Sequence, residues 1–192
     1  AQPSFLYFLQ LFFNAPEKWE DRPAIFDRTL LARVYRTLPF SYSLVGVLIL
    51  IYSDNLTLYD PQFCWLALGN SLMVQGVVSY FADVHDYGRP VENSRWKRVD
   101  LILAPTLMFV VSIVILTRCW LGRMSLPPIT VNVWAVGCAV AVVSKCLSAR
   151  ASYHKSTSIK TVMVWTNVWH SLPVLASIVV WHLGSRSYHG KR

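Results

Sequence analysis

A chain of 192 residues that is 54% hydrophobic and only 15% charged, with a mean hydropathy of +0.40, suits several membrane spans with short connectors and leaves no room for a separate soluble domain. A net charge of +8 brings nucleic acid to mind, but the basic residues are dispersed at the ends of apolar runs, where they meet phospholipid headgroups, so no nucleic-acid partner is expected. No Gly-rich phosphate loop, G-x-S-x-G elbow, H-E-x-x-H helix or paired C-x-x-C is present, which sets aside the common soluble-enzyme classes. The first residue is Ala1 rather than Met, as expected of a processed mature form or of a trimmed chain.

In chain order, Ser4 to Phe13 holds Phe5, Leu6, Phe8, Leu9, Phe12 and Phe13, is too short to span a bilayer, and ends at Asn14 and Pro16. It reads as an interfacial helix. Glu17 to Asp27 is a mixed-charge connector, and Arg28 to Leu38 sets Leu31, Val34 and Leu38 beside Arg28, Arg33 and Arg36, an amphipathic approach to the membrane. Residues 1–36 are therefore expected to cap the inner face.

Five apolar stretches follow: Thr37 to Ser53, Gln62 to Ala82, Val99 to Thr117, Ile129 to Leu147 and Thr161 to Leu183. Each approaches the roughly 20 residues a spanning helix needs. The expected fold is an all-α, polytopic bundle of five transmembrane helices over residues 37–183, with a short basic tail at 184–192. Of the 18 basic residues, Lys18, Arg22, Arg28, Arg33, Arg36, Arg89, Arg95, Lys97, Arg98, Lys145, Arg150, Lys155 and Lys160 fall on one side of such a bundle. Arg118, Arg123, Arg186, Lys191 and Arg192 fall on the other. The positive-inside rule then places the N-terminus inside and the C-terminus on the opposite face. Tyr52, Tyr59, Trp65, Trp120 and Trp181 gather at the outer boundary, and Tyr80, Trp96, Tyr153 and Trp165 at the inner one, as aromatic belts do. There is no internal repeat of the transporter kind.

At the outer face, Asn55-Leu56-Thr57 forms a glycosylation sequon set close to the membrane. Cys64 and Cys119 share that face and are the two that an oxidising space could pair; Cys138 and Cys146 lie within the fourth span and at its inner end. All four also read as small buried hydrophobes.

Polar groups inside spans are costly and therefore informative. In the second stretch Gly69, Gly76 and Asp83 repeat at seven residues and Ser79 follows Gly76 by three, so all four share one helix face on which another backbone can approach. Gly137, Ala141, Ser144 and Ser148 form a similar small-residue face in the fourth. In the last, Thr166, His170, Pro173 and Ser177 share a face, and Pro173 frees the Trp169 carbonyl from its usual partner. Asp100 opens the third stretch behind Lys97 and Arg98. Topology thus lets Ser79, Asp83, His85, Asp100 and His170 converge in the inner leaflet. Each residue also has a plain structural reading: Asp83, His85 and Asp86 as turn residues beside Arg89, Asp100 as a helix-dipole partner, and His170 as a hydrogen-bonded core histidine. A haem held by two histidines needs a second one at matching depth, which the sequence lacks; a single-histidine pigment site is compatible.

Ser79-x-x-x-Asp83, Asp100 at the head of the next span and Trp169-His170 in the last resemble the layout of the CREST superfamily of membrane hydrolases and receptors, which includes alkaline ceramidases and the progestin and adiponectin receptors. That family carries Ser-x-x-x-His, Asp and His-x-x-x-His on seven spans, with zinc at the histidines. The resemblance implies a polar site of Ser79, Asp83, Asp100 and His170, with zinc as cofactor and His170, Asp83 and His85 as its candidate ligands. The chain departs from the pattern where Asp83 and Thr166 stand in histidine positions and in having two spans fewer.

With short loops, small-residue faces and one histidine ligand left of three, the sequence reads first as a non-catalytic, multi-pass accessory subunit, with membrane lipids and other membrane proteins as partners. A larger assembly such as an organellar energy-converting complex is the expected setting. The alternative is a CREST-type metal-dependent lipid hydrolase or receptor with an altered site.

Overall fold

The computed structural model describes residues 19–89, 91–153 and 158–189, all helical apart from turns and short connectors. The Phe-rich segment Ser4 to Phe13 lies outside the described residues. A 3₁₀ segment, Trp19–Phe26, leads into α1 (Leu30–Thr37), which Thr29 caps by accepting from the Ala32 amide at 3.3 Å. Pro39, in a short 3₁₀ turn, joins α1 to α2 (Ser41–Ile51). Then come the one-turn helix α3 (Ser53–Leu56), α4 (Trp65–Tyr80), α5 (Arg95–Pro105), α6 (Val111–Trp120), α7 (Pro128–Tyr153) and α8 (Ile159–His189).

Among the described residues four stretches are long and apolar enough to cross a membrane: Leu30–Ile51, Arg95–Trp120, Pro128–Ser152 and Ile159–Ser185. The second expected span is shorter than its apolar run. α4 has 16 α-helical residues, because Asp60 to Cys64 is spent on a turn, and its last turn continues as a π-helix, Phe81–His85. A second π segment, Thr106–Val110, follows Pro105, whose missing N–H interrupts the normal ladder.

α2 and α4 meet backbone to backbone. A Cβ on Gly46 would stand 2.5 Å from the Gly69 carbonyl oxygen, and one on Gly76 would stand 2.8 Å from the Ser43 amide nitrogen. Ser43 Oγ donates across the same contact to the Met73 carbonyl at 2.8 Å. The small-residue face of α7 is also spent within the chain: Gly137 packs on Leu172 and Leu175 of α8, and Ala141, Ser144 and Ser148 are buried.

At the cap end, Ile25, Ala32 and Tyr35 pack on Val84, Tyr87 and Met163, so α1 seals α8 and the π turn. The far end is closed by Asp60, 1% exposed, which takes a two-pronged grip from Arg118: Nη2 donates to Oδ1 at 2.8 Å and Nε to Oδ2. The Gln62 amide adds a third bond at 3.0 Å. The Arg118 hydrogen bond is the main cause that holds the Asp60 carboxyl below the usual carboxylate range. Asn55 of the sequon donates to the Gly184 carbonyl at 2.8 Å, which engages the amide that glycosylation would need free. Cys64 and Cys119 are both free thiols.

Two outcomes follow. Gly46→Ala should destabilise the bundle by about 1–3 kcal/mol, because its new methyl meets backbone. Gly137→Ala, which meets only the flexible ends of two leucines, should cost less; unfolding in mixed micelles compares them, and equal losses would refute the backbone contact. The second concerns acid. A depressed native pKa stabilises above the unfolded value of about 3.9, and that contribution is lost as pH falls through the native value. Thermal midpoints of the wild type should therefore drop below about pH 4, whereas Asp60→Asn should start lower at pH 7 and change less over that window.

Candidate functional site

The polar groups of α4 come together because Gln75, Ser79 and Asp83 follow one another at four-residue steps, on the side of the helix that the glycine contact turns inward. Gln75 and Ser79 are wholly buried, at 0% and 1% exposure. Gln75 Nε2 donates to Ser79 Oγ and to Asp100 Oδ1, both at 2.6 Å, and Ser79 Oγ donates to the same Asp100 oxygen at 2.7 Å. The carboxylate fixes which end of the Gln75 amide faces it, since only the NH₂ end donates.

Asp83 stands in the π turn, where the Asp86 amide reaches back to the Phe81 carbonyl at 2.9 Å. Its Oδ2 lies 3.3 Å from His170 Nε2, with His170 2% and Asp83 21% exposed. The Asp83 carbonyl accepts from Tyr35 at 3.1 Å, and the Ser41 hydroxyl reaches the His170 carbonyl at 3.4 Å. Tyr42 meets the His170 ring edge-on at 6.0 Å between centroids. Lys145 of α7 lies over the Trp169 ring at 5.5 Å and within electrostatic range of both Asp83 and Asp100.

Ser79, Asp83, Asp100 and His170 are therefore neighbours, but they form two pairs: Ser79 with Asp100, and His170 with Asp83. Serine and histidine do not share a hydrogen bond, so the relay that activates a serine nucleophile is not assembled. His85 belongs elsewhere. Its side chain is 52% exposed and its Nδ1 lies 2.9 Å from Asp86 Oδ1. Asp86, 3% exposed, also accepts from Ser94 Oγ at 2.6 Å and Arg89 at 3.0 Å. Burial pushes the Asp86 carboxyl up, yet the Ser94 and His85 bonds and the Arg89 charge outweigh it and hold the group below the usual range.

Zinc requires three protein ligands and an open position for catalysis. Here His170 Nε2 faces Asp83, His85 is turned to Asp86, and the Thr166 hydroxyl is engaged with Ser148 at 2.7 Å. Among the described residues no group of three His, Cys, Asp or Glu is arranged to hold an ion. The residues do not fit the metal that the resemblance implies.

Gln75 and Lys145 were not anticipated as members. Gln75 had a signal, four residues before Ser79 on the same face; Lys145 had none, being one of many basic residues near a helix end. Fold and site together define an all-helical protein with membrane-length helices around a buried carboxylate, histidine and amide cluster. Comparison with family models, curated proteins and solved structures finds no match.

The Asp83 and His170 pair is tested by a double-mutant cycle. Asp83→Ala, His170→Ala and the double variant should give a coupling energy of about 0.5–3 kcal/mol in unfolding measurements. Additive losses would show that the contact contributes nothing.

Proposed function

We propose that this chain is an integral membrane protein of five spans that acts as a non-catalytic, multi-pass subunit of a larger membrane assembly. The observation that carries the non-catalytic reading is the pairing just described: each reactive group is engaged with a neighbour that helps hold two helices together. Ser79 and Gln75 fasten α4 to α5 through Asp100, and His170 fastens α8 to the π turn through Asp83.

The fifth span is supported by position: α4 runs backbone to backbone along α2, which belongs to a membrane-length stretch. With its π turn it presents Leu66, Val74 and Val77 outward. The basic-residue bias then sets the N-terminus inside and the C-terminus on the opposite face. The assembly reading draws on α6 and α7. Ile113, Trp120, Ile129, Val136 and Val143 are exposed along these helices, while the small-residue faces are already filled within the chain.

A second reading, a CREST-type receptor or hydrolase, is favoured by one observation, the convergence of Ser79, Asp83, Asp100 and His170 in one bundle. Elemental analysis of purified protein separates the two. The subunit reading expects less than a tenth of a zinc per chain, no lipid amidase activity, and a fixed-stoichiometry complex on native gels. One zinc per chain, with amidase activity lost in His170→Ala while the fold is kept, would reverse the order. Cysteines placed at Glu17 and Gly190 should be labelled from opposite sides of sealed vesicles; labelling from one side would remove a span.

A further inference from the structure

The α2 and α4 pair turns one apolar side out of the bundle, and a carboxamide interrupts it. The helices run antiparallel, since Ser43 meets Gly76 while Gly46 meets Gly69 and Met73. On each helix an exposed residue follows a contact residue by one position: Leu44 after Ser43, Val47 after Gly46, Asn70 after Gly69, Val74 after Met73 and Val77 after Gly76. In an antiparallel pair that shared offset, about 100° of helical turn, brings both exposed stripes to the same side. Leu44, Leu66 and Val74 are each more than half exposed. Asn70 stands within the α4 stripe, about 7.5 Å of helical rise from Trp65 and about 15 Å from Tyr80. On the five-span reading, on which this inference rests, that position lies below the headgroups. Its Nδ2 donates to the Leu66 carbonyl at 2.8 Å, and its Oδ1 has no partner among the described residues. An unpaired amide is costly in hydrocarbon, and polar side chains inside spans almost always face protein. Other outward polar groups differ: Ser171 Oγ donates to the Val168 carbonyl at 2.7 Å, and Asn132 lies one turn from the start of α7, within reach of headgroups.

Depth and chemistry together choose what covers Asn70. Copies of one chain insert with one orientation, so a two-fold axis along the membrane normal sets each residue opposite its own counterpart at equal depth. A carboxamide carries acceptor and donor together and is complementary to itself, as a carboxylate, an ammonium or an indole is not. The neighbouring residues agree. Ala67, Asn70, Val74 and Val77 are all exposed and recur at steps of three, four and three, the seam spacing of two parallel helices. Ala67 is small enough for close approach, and a lone Asn in such a seam fixes register. We propose that the exposed side of α2 and α4 is a homodimer interface, in which Asn70 Oδ1 of each copy accepts from Asn70 Nδ2 of the other.

The test uses the full chain in phosphatidylcholine vesicles. With Cys64, Cys119, Cys138 and Cys146 replaced by alanine, oxidation should join Val74→Cys copies into a disulfide dimer. Val136→Cys copies, changed on the exposed face of α7, should join at least tenfold less. In lipid-dilution measurements of energy transfer between labelled copies of the otherwise native chain, Asn70→Val should raise the dissociation constant about 5–30-fold, the worth of one interhelical hydrogen bond in model membrane peptides. Asn70→Gln, which keeps the carboxamide, should lose less, and Asn132→Val should change nothing. Equal joining at the two cysteines, or an Asn70→Val dimer as tight as the wild type with unchanged circular dichroism, refutes the interface. A chain that stays monomeric at every dilution overturns the second copy as the occupant and leaves Asn70 to a different protein. Where the cysteine-free chain fails to fold, the Asn70→Val comparison decides. Failure of the five-span reading is seen separately, as labelling of cysteines at Glu17 and Gly190 from one side.

Discussion

The close approach of α2 and α4 is the constraint on which the other features rest. With no Cβ at Gly46, Gly69 and Gly76, the two backbones meet, and the face of α4 that carries the glycines also carries Ser79 and leads into Asp83. Sealing that face against a neighbour buries Gln75 and Ser79 and leaves Asp83 only partly exposed. They must then find partners inside the bundle, and the partners come from whichever helices lie next to the same face: α5 supplies Asp100 and α8 supplies His170. A bulky residue at Gly76 would therefore do more than loosen one contact, because the register that brings Ser79 to Asp100 depends on how deeply α4 sits. Ser43, which bonds the Met73 carbonyl within the same contact, fixes that depth from the α2 side.

Electrostatics explains why the cluster takes the form of two pairs. An isolated carboxylate in a low-dielectric interior costs several kcal/mol, and a pair recovers that cost only with good geometry and added hydrogen bonds. Asp100 has two donors on one oxygen, Ser79 and Gln75. Asp83 has the imidazole and keeps part of its surface exposed at 21%, which lowers its desolvation cost. Lys145, within range of both, offsets part of their mutual repulsion. Such an arrangement specifies which helices lie together more than it adds stability, since apolar packing of equal volume often serves as well.

The sequence carried the helices and their faces, because apolar runs and glycine spacing are local and periodic. The face shared by Gly69, Gly76, Ser79 and Asp83, and the depth of His170 within the last apolar run, were legible in this way. What was illegible has specific causes. The π turn at Phe81–His85 changes the angle per residue, so a 3.6-residue reading cannot say where His85 points; it turns toward Asp86 and away from His170. The loss of Gln62 to Cys64 from the second helix depends on the Asp60 turn, and that turn depends on Arg118, 58 residues away. An ion pair at such separation has no local signature. Arg118 counts only as one basic residue among 18 until the fold brings it to Asp60.

Burial decides between holding and reacting. A serine that attacks a substrate must release its proton to a base and have room for the incoming carbonyl. Ser79 is 1% exposed, its proton is directed at Asp100, and Gln75 occupies its remaining near side. Admitting a substrate would require breaking both bonds and leaving Asp100 without donors in the bundle interior. The same closure costs nothing in a protein that binds or assembles without turnover. The polar cluster ties α4 to α5 through Asp100 and α8 to the π turn through Asp83.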